Sequence, residues 1–244
     1  MSTDLLQQDL PICTYSSGDA LRSRTVSRVV RAGTVNVPEP PARLVADWQR
    51  DVALHLGLEI GDVDVLPWAR TRARWAGFNP CLQAASDWMI TCGMHATLLQ
   101  SEMALMACRA ARYHHDGLQY GANAFCNLFL SEDKGLDLHF PALQLRIPLQ
   151  RGTVVVFDTC QPHAVIPRDK SDFQASHFRP DEDCTQVFLT WELPIEDDII
   201  AKQLGITFDG TADMAQRAGE EQVSVAGTVA TVCPQTGQWQ RLCN

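Results

Sequence analysis

The chain has 244 residues and a net charge of −9, with hydrophobic residues at 45% and charged residues at 20%. That balance allows a well-buried core in one large or two small domains, and the acid excess argues against sequence-independent attraction to nucleic-acid backbones or anionic membranes. Nine cysteines without a C-x-x-C pair exclude the usual zinc-ribbon and thioredoxin spacings and read as thiols of a reducing cytosol.

The opening stretch MSTDLLQQDLPICTYSSGDA has no basic segment followed by an apolar run, so no secretory signal is expected. No stretch approaches the roughly 20 apolar residues of a membrane span. A cytoplasmic protein is expected. After the Pro-rich VNVPEPPAR, Leu44, Val45, Trp48, Val52 and His55 recur at helical spacing, with Gly57 as a natural stop. WARTRARW (68 to 75) places Arg70, Arg72 and Arg74 at period two. It reads as a solvated edge strand, with a lip for an anionic substrate as the functional alternative. A second helix is expected in NPCLQAASDWM, with Asn79 as cap and Pro80 at the first helical position. SEMALMACRAARY is helical by propensity, a preference that tertiary context is expected to override where it leads into His114.

From about residue 122 the segments ANAFCNLFL, LDLHF, LQLRIPL, TVVVFD and TQVFLTWEL are short, β-rich and separated by Gly, Pro, Asp and Lys. They read as closely spaced strands of a sandwich or barrel. A helix over about 195–204 follows, ended by Gly205 and favoured by the acidic 196–198 run at its start. QVSVAGTVATVCPQTGQWQRL reads as a further hairpin. The expected organisation is one domain, 1–244: a helical or mixed part to about 111, a strand core over about 112–194, and a helix with a hairpin over about 195–244.

RYHHDG (112 to 117) is the chemical landmark. Chance alone supplies about one H-x-[DE] triplet in a chain of this composition, so the triplet by itself is weak. On extended backbone, residues two apart share a face, so His114 and Asp116 would project together and His115 away. Forty-seven residues beyond Asp116, GTVVVFDTCQPHAVIPR ends an apolar strand at Phe157-Asp158 and starts the next at His163. Two neutral imidazoles and one carboxylate on one face form the triad that suits Fe(II) and leaves coordination positions open.

HHDG, GLDLHFPALQLRIPL, RGTVVVFD and PHAV together resemble the Fe(II)/2-oxoglutarate-dependent oxygenases over about a third of the chain. The resemblance implies a mainly β fold with flanking helices around a double-stranded β-helix, or jelly-roll, core. It also implies Fe(II) held by His114, Asp116 and His163, with 2-oxoglutarate and O2 as cosubstrates. Retention of Asp116 favours hydroxylation or a similar oxidation over halogenation. The family anchors the far carboxylate of 2-oxoglutarate with Arg or Lys near the start of a late strand, where this chain has Thr185 and Gln186. Arg179 is the first substitute, followed by Arg146, with Arg168 last because it faces outward by alternation. Tyr113, Asn123 and Thr190 are candidates to hydrogen-bond cosubstrate or substrate. His115, His139, His177, His95 and His55 are expected to be structural or solvated, and Trp191 to pack in the core. The expected partner is a small-molecule or amino-acid-like substrate rather than nucleic acid. Two alternatives stand beside this: a jelly-roll or cupin-type iron oxidase that does not use 2-oxoglutarate, and a noncatalytic β-barrel binding module.

Overall fold

The computed structural model describes residues 10–94, 98, 101–179, 181–208 and 220–242. The first part comprises strands Ile12–Ser17 (β1), Ala20–Thr25 (β2) and Arg31–Thr34 (β3), and helix Ala42–Arg50 (α1), which continues as a π-helical segment over Asp51–Leu56. Val63–Leu66 (β4) and helices Trp68–Arg74 (α2) and Phe78–Thr91 (α3) follow. Eight strands then form the core: Met103–Arg109 (β5), Ala111–His114 (β6), Asn123–Phe129 (β7), Leu136–Phe140 (β8), Leu145–Pro148 (β9), Thr153–Asp158 (β10), His163–Pro167 (β11) and Thr185–Pro194 (β12). A short helix, Gly117–Tyr120 (α4), links β6 to β7. Helix Asp198–Leu204 (α5) and strands Gln222–Val225 (β13), Thr228–Val232 (β14) and Trp239–Arg241 (β15) complete the described chain.

The larger core sheet runs β3-β10-β7-β12-β5-β4 and the smaller one β6-β11-β8-β9. Within β5–β12 the pairing nests about the β8–β9 connection: β8 with β9, β7 with β10, β6 with β11 and β5 with β12, all antiparallel. This nesting defines a double-stranded β-helix, flanked by helices. A third sheet, β15-β14-β13-β1-β2, joins the two ends of the chain.

The six residues of β10, TVVVFD, are all buried because the larger sheet is covered on both faces. Val154 and Val156 belong to the core shared with Trp48, Phe78 and Met89 of the helices. Val155 and Phe157 turn the other way, toward Phe129, Leu138 and Val165 between the sheets.

Several expectations are corrected. The strand core begins at Met103 rather than near residue 112: β5 pairs with β12 from Met103↔Trp191 to Arg109↔Thr185, and this pairing overrides local helix propensity. WARTRARW forms α2 rather than an edge strand. Its arginines sit one helical turn apart as well as at period two, so Arg70 reaches Asp51 at 3.2 Å and Arg74 reaches Asp47 at 2.8 Å. Those pairings occupy Arg70 and Arg74, while Arg72 lies over the Trp68 ring at 5.7 Å. α3 begins at Phe78, with no side-chain cap from Asn79; Pro80 lies within the first turn, where its missing N–H costs nothing. α5 is capped by Asp197, whose carboxylate accepts from the Ile199 and Ile200 amides, and it ends at Gly205 in the left-handed conformation. No helix among the described residues is long and apolar enough to cross a membrane.

Candidate metal centre

β6 and β11 are antiparallel neighbours in the smaller sheet, and their register sets His163 directly opposite His114. The two imidazole centroids lie 4.4 Å apart. Each ring is fixed from behind: His114 Nδ1 donates to the Arg112 carbonyl at 2.7 Å, and His163 Nδ1 donates to the Gln161 carbonyl at 2.9 Å. A carbonyl only accepts, so both Nδ1 atoms carry a proton, and in the neutral form of each ring the Nε2 lone pair is then the one left for a metal.

Asp116 completes the group, with Oδ1 3.5 Å from His114 Nε2 and Oδ2 3.6 Å from His163 Nε2. The three ligand atoms lie within 4.8 Å of one another. Strand alternation is not what brings Asp116 there. β6 ends at His114, and Asp116 stands at the start of α4 with φ −99° and ψ 7°, its side chain uncommitted to the helix cap. Its amide donates to the Thr159 carbonyl at 2.8 Å, which ties it to the turn leading into His163. The triad converges through a turn and a cross-chain hydrogen bond instead of a shared strand face.

Burial pushes the Asp116 carboxyl up, against the pull of His114 and His115. Burial likewise holds the His163 imidazole well below its ordinary value, reinforced by His114. Both groups are therefore uneasy in the forms that would form a simple ion pair. A bound divalent cation relieves that conflict by taking two neutral imidazoles and an ionised carboxylate together. Side-chain exposure of 36% at His114, against 8% at His163, leaves the group open on the His114 side.

The turn before His163 is anchored by a buried ion pair that sequence reasoning missed. Asp158 accepts from Arg24 Nη1 at 2.7 Å and Nη2 at 2.8 Å, from the Ser27 amide at 2.7 Å and from the Cys160 amide at 2.9 Å. Neither side chain of the pair has any exposure. Arg24 Nε also donates to the Gly121 carbonyl at 3.0 Å, just past α4. The β1–β2 hairpin thereby clamps both segments that carry the triad. A carboxylate ending the apolar VVVFD run signals a buried partner, but nothing in the sequence selects Arg24 from the other arginines.

A cavity of about 390 Å³ opens beside the triad between the two core sheets. Thr190 and Asn127 line it, directly paired across β12 and β7. Thr190 Oγ and Asn127 Oδ1 are buried without a protein partner. Glu192 also lines it; its Oε2 accepts from Asn123 Nδ2 at 3.0 Å. Burial, and then the nearby Glu102, push the Glu192 carboxyl up. Asn123 thus acts on the cavity through Glu192.

The expected carboxylate anchors lie elsewhere. Arg179 is exposed and pairs with Asp181 and Glu182. Arg146 binds Asp137 and the carbonyls of Pro167 and Lys170, and Arg168 binds Asp133 and Asp137. Gln186 is fully buried with both amide atoms unpartnered; it shares a face of β12 with Phe188 without lining the cavity. Tyr113 is buried too, its hydroxyl 2.5 Å from His139 Nδ1, so those two residues serve each other. His115 Nδ1 accepts from the Gly117 amide, and its ring packs near Trp239. His177 lies near Asp172, and Trp191 is in the core. His95 and the side chain of His55 lie outside the described residues.

No protein-family model and no curated protein matches the sequence. Among solved structures, the chain is similar to a prolyl-4-hydroxylase from Pseudomonas putida, at 17% identity and a TM-score of 0.41, covering 68% of this chain and 92% of that one. It is similar to a viral collagen prolyl hydroxylase from Paramecium bursaria Chlorella virus-1 in its 2-oxoglutarate complex, at 11% and 0.38, covering 68% and 94%. It is also similar to EvdO2 from Micromonospora carbonacea var. aurantiaca, at 13% and 0.39, covering 69% and 87%. Likeness at this level carries no argument of its own; the chemistry rests on the residues described above. The nested strand order and the convergent His114, Asp116 and His163 are what the resemblance to the Fe(II)/2-oxoglutarate-dependent oxygenases implies, and this chain has both.

Proposed function

We propose that this chain is a non-haem Fe(II) oxygenase that oxidises, most simply by hydroxylation, a C–H bond of a small molecule bound between the core sheets. The observation that carries this reading is the paired orientation of the imidazoles: both Nδ1 protons are spent on backbone carbonyls, so both Nε2 atoms, the lone-pair atoms of the neutral rings, are gathered beside one carboxylate. Two neutral nitrogens and one carboxylate from one side suit a ferrous ion and leave its remaining positions for exogenous ligands. Fe(II), when bound there, supplies dioxygen activation.

The protein's own contribution is positional. The Arg112 and Gln161 carbonyls hold the imidazole tautomers, and Thr159 and Arg24 fix the two segments relative to each other. Phe157, 4.8 Å from the His163 ring, and Phe125 beside it keep water from that flank. Among the described residues, no lysine or arginine lines the cavity. A dicarboxylate such as 2-oxoglutarate therefore finds no ion-pair partner there for its far end.

The test is metal binding by purified protein under anaerobic conditions, followed by oxygen uptake. Stoichiometric Fe(II) binding that disappears in Asp116→Ala is the expected result. A metal affinity equal in wild type and Asp116→Ala would leave the noncatalytic β-barrel reading in its place.

A further inference from the structure

The cavity is graded, and its grading bears on what the iron site accepts. Register along β7 and β12 orders its wall in pairs: Phe125 with Glu192, Asn127 with Thr190, then Phe129 with Phe188. The first pair stands at the level of the triad, because Phe125 neighbours Phe157, which in turn neighbours His163. Each further pair lies about 7 Å deeper, two residues along a strand. At the far end of this wall Phe129 and Phe188 stack at 5.1 Å and 29°, with Val63, Asp64 and Val65 of β4 at the same level. Facing them from the other strands are Met106, Cys108, Ala111, Leu138 and Val165.

An arm reaching inward from the metal thus meets one neutral polar pair, Asn127 and Thr190, whose oxygens have no protein partner. Beyond that pair β7 and β12 offer it only phenyl rings, and Asp64 of β4 stands at the same level. The ionisable groups on the wall away from the imidazoles are acidic: Asp64 and Glu192 join Asp116. A second carboxylate there would lie against stacked phenyl rings and near Asp64, with no cation to receive it, and that is unfavourable. A monoanion with an uncharged arm avoids that penalty and buries apolar surface instead.

The geometry points to a 2-oxo acid with an aliphatic or aromatic tail as the ligand of this iron site, in preference to 2-oxoglutarate. Its carboxylate and oxo groups face the triad, and its tail fills the space before the Phe129–Phe188 stack. This rests on the iron site proposed above, and metal binding measured alone tests that site separately.

The experiment uses full-length protein under anaerobic conditions. Fe(II) is titrated first without any oxo acid. The metal-loaded protein is then titrated with 4-methyl-2-oxopentanoate, phenylpyruvate and 2-oxoglutarate, followed by calorimetry and by the visible iron-chelate absorption. The expected result is Fe(II) binding in the first titration, then at least tenfold tighter binding of one apolar-tailed acid than of 2-oxoglutarate. In Phe188→Arg, which sets a cation at the far end of the wall, the preference should reverse; in Phe188→Leu it should not. Equal or tighter binding of 2-oxoglutarate by wild type overturns the inference, as does iron binding with no response to any of the three acids. Failure to bind Fe(II) at all overturns the iron site itself.

Discussion

Replacing Arg24 with methionine tests how the metal-bearing turn is held. The substitution removes a guanidinium that gives Asp158 two hydrogen bonds and the Gly121 carbonyl a third, at a site with no exposure of either partner. Burial alone would lower the Arg24 pKa, but Asp158 beside it more than offsets this and the net shift is upward, so the guanidinium stays charged at any working pH. Arg24→Met leaves the Asp158 carboxylate buried with only the Ser27 and Cys160 amides. Breaking a buried pair from one side costs about 3–5 kcal/mol. For a domain of this size that corresponds to a fall in Tm of roughly 6–20 °C. Urea unfolding followed by fluorescence reads the free energy, and a thermal scan reads Tm. The double variant Arg24→Met/Asp158→Leu should recover more than half of the loss, because no charge is then left stranded. Metal affinity should remain reduced by about 10-fold or more in both variants, since the turn before His163 has lost its clamp. If Arg24→Met unfolds within about 1 kcal/mol of wild type, below the range for a stranded buried charge, the clamp does not exist as described.

His163→Ala should abolish Fe(II) binding while circular dichroism stays native. His115→Ala, by contrast, should cost about 1 kcal/mol of stability through the lost Gly117 amide bond and lower metal affinity less than about 10-fold, both readable from one titration series. Gly152→Ala should destabilise by more than about 2 kcal/mol in urea unfolding, because its φ of +85° is left-handed and an added methyl would strike the Val35 carbonyl. Among the described cysteines, Cys233 should alkylate before Cys81 and Cys108 on mass-spectrometric mapping. Hydrogen bonds from Thr236 and Gln235 lower its pKa, whereas burial pushes Cys81 and Cys108 up to about 12; simultaneous labelling of all three would contradict this.

Strands β7 to β12 were legible because each is a short apolar run closed by a turn residue, a pattern that survives whichever neighbour it finds. β5 was not, since ALMAC carries helix formers and becomes a strand only through seven registered pairs with β12. α2 was misread for a related reason: arginines at period two also place Arg70 and Arg74 one helical turn apart, and only Asp47 and Asp51 on the preceding helical segment decide between the two. The triad's membership was readable from residue type and spacing, but its geometry was not. Asp116 arrives by way of a turn held to Thr159, a contact between residues 43 positions apart. The anchors suffered most. Arg146 and Arg179 are cations near the core in sequence, yet Asp137, Asp181 and Glu182 already hold them.

These errors share a physical origin that also explains how the site is built. The imidazoles are set by strand register within the jelly roll, with β6 also donating its Tyr113 amide to the Pro234 carbonyl of the C-terminal segment, whereas the carboxylate and the approach to His163 depend on groups outside the rolled sheets. Arg24 comes from the N-terminal hairpin, whose strand β1 is paired with β13 from the far end of the chain. Separating β13 from β1 frees one edge of the hairpin that delivers Arg24, and so loosens Asp158 and Gly121 without touching a ligand. A chain cut after residue 208 should therefore keep the β5–β12 core, by circular dichroism, yet bind Fe(II) at least about 10-fold more weakly than the full chain, as loss of supporting contacts does elsewhere. Unchanged affinity in that truncation would mean that the core positions all three ligands by itself and that the hairpin is merely attached to it.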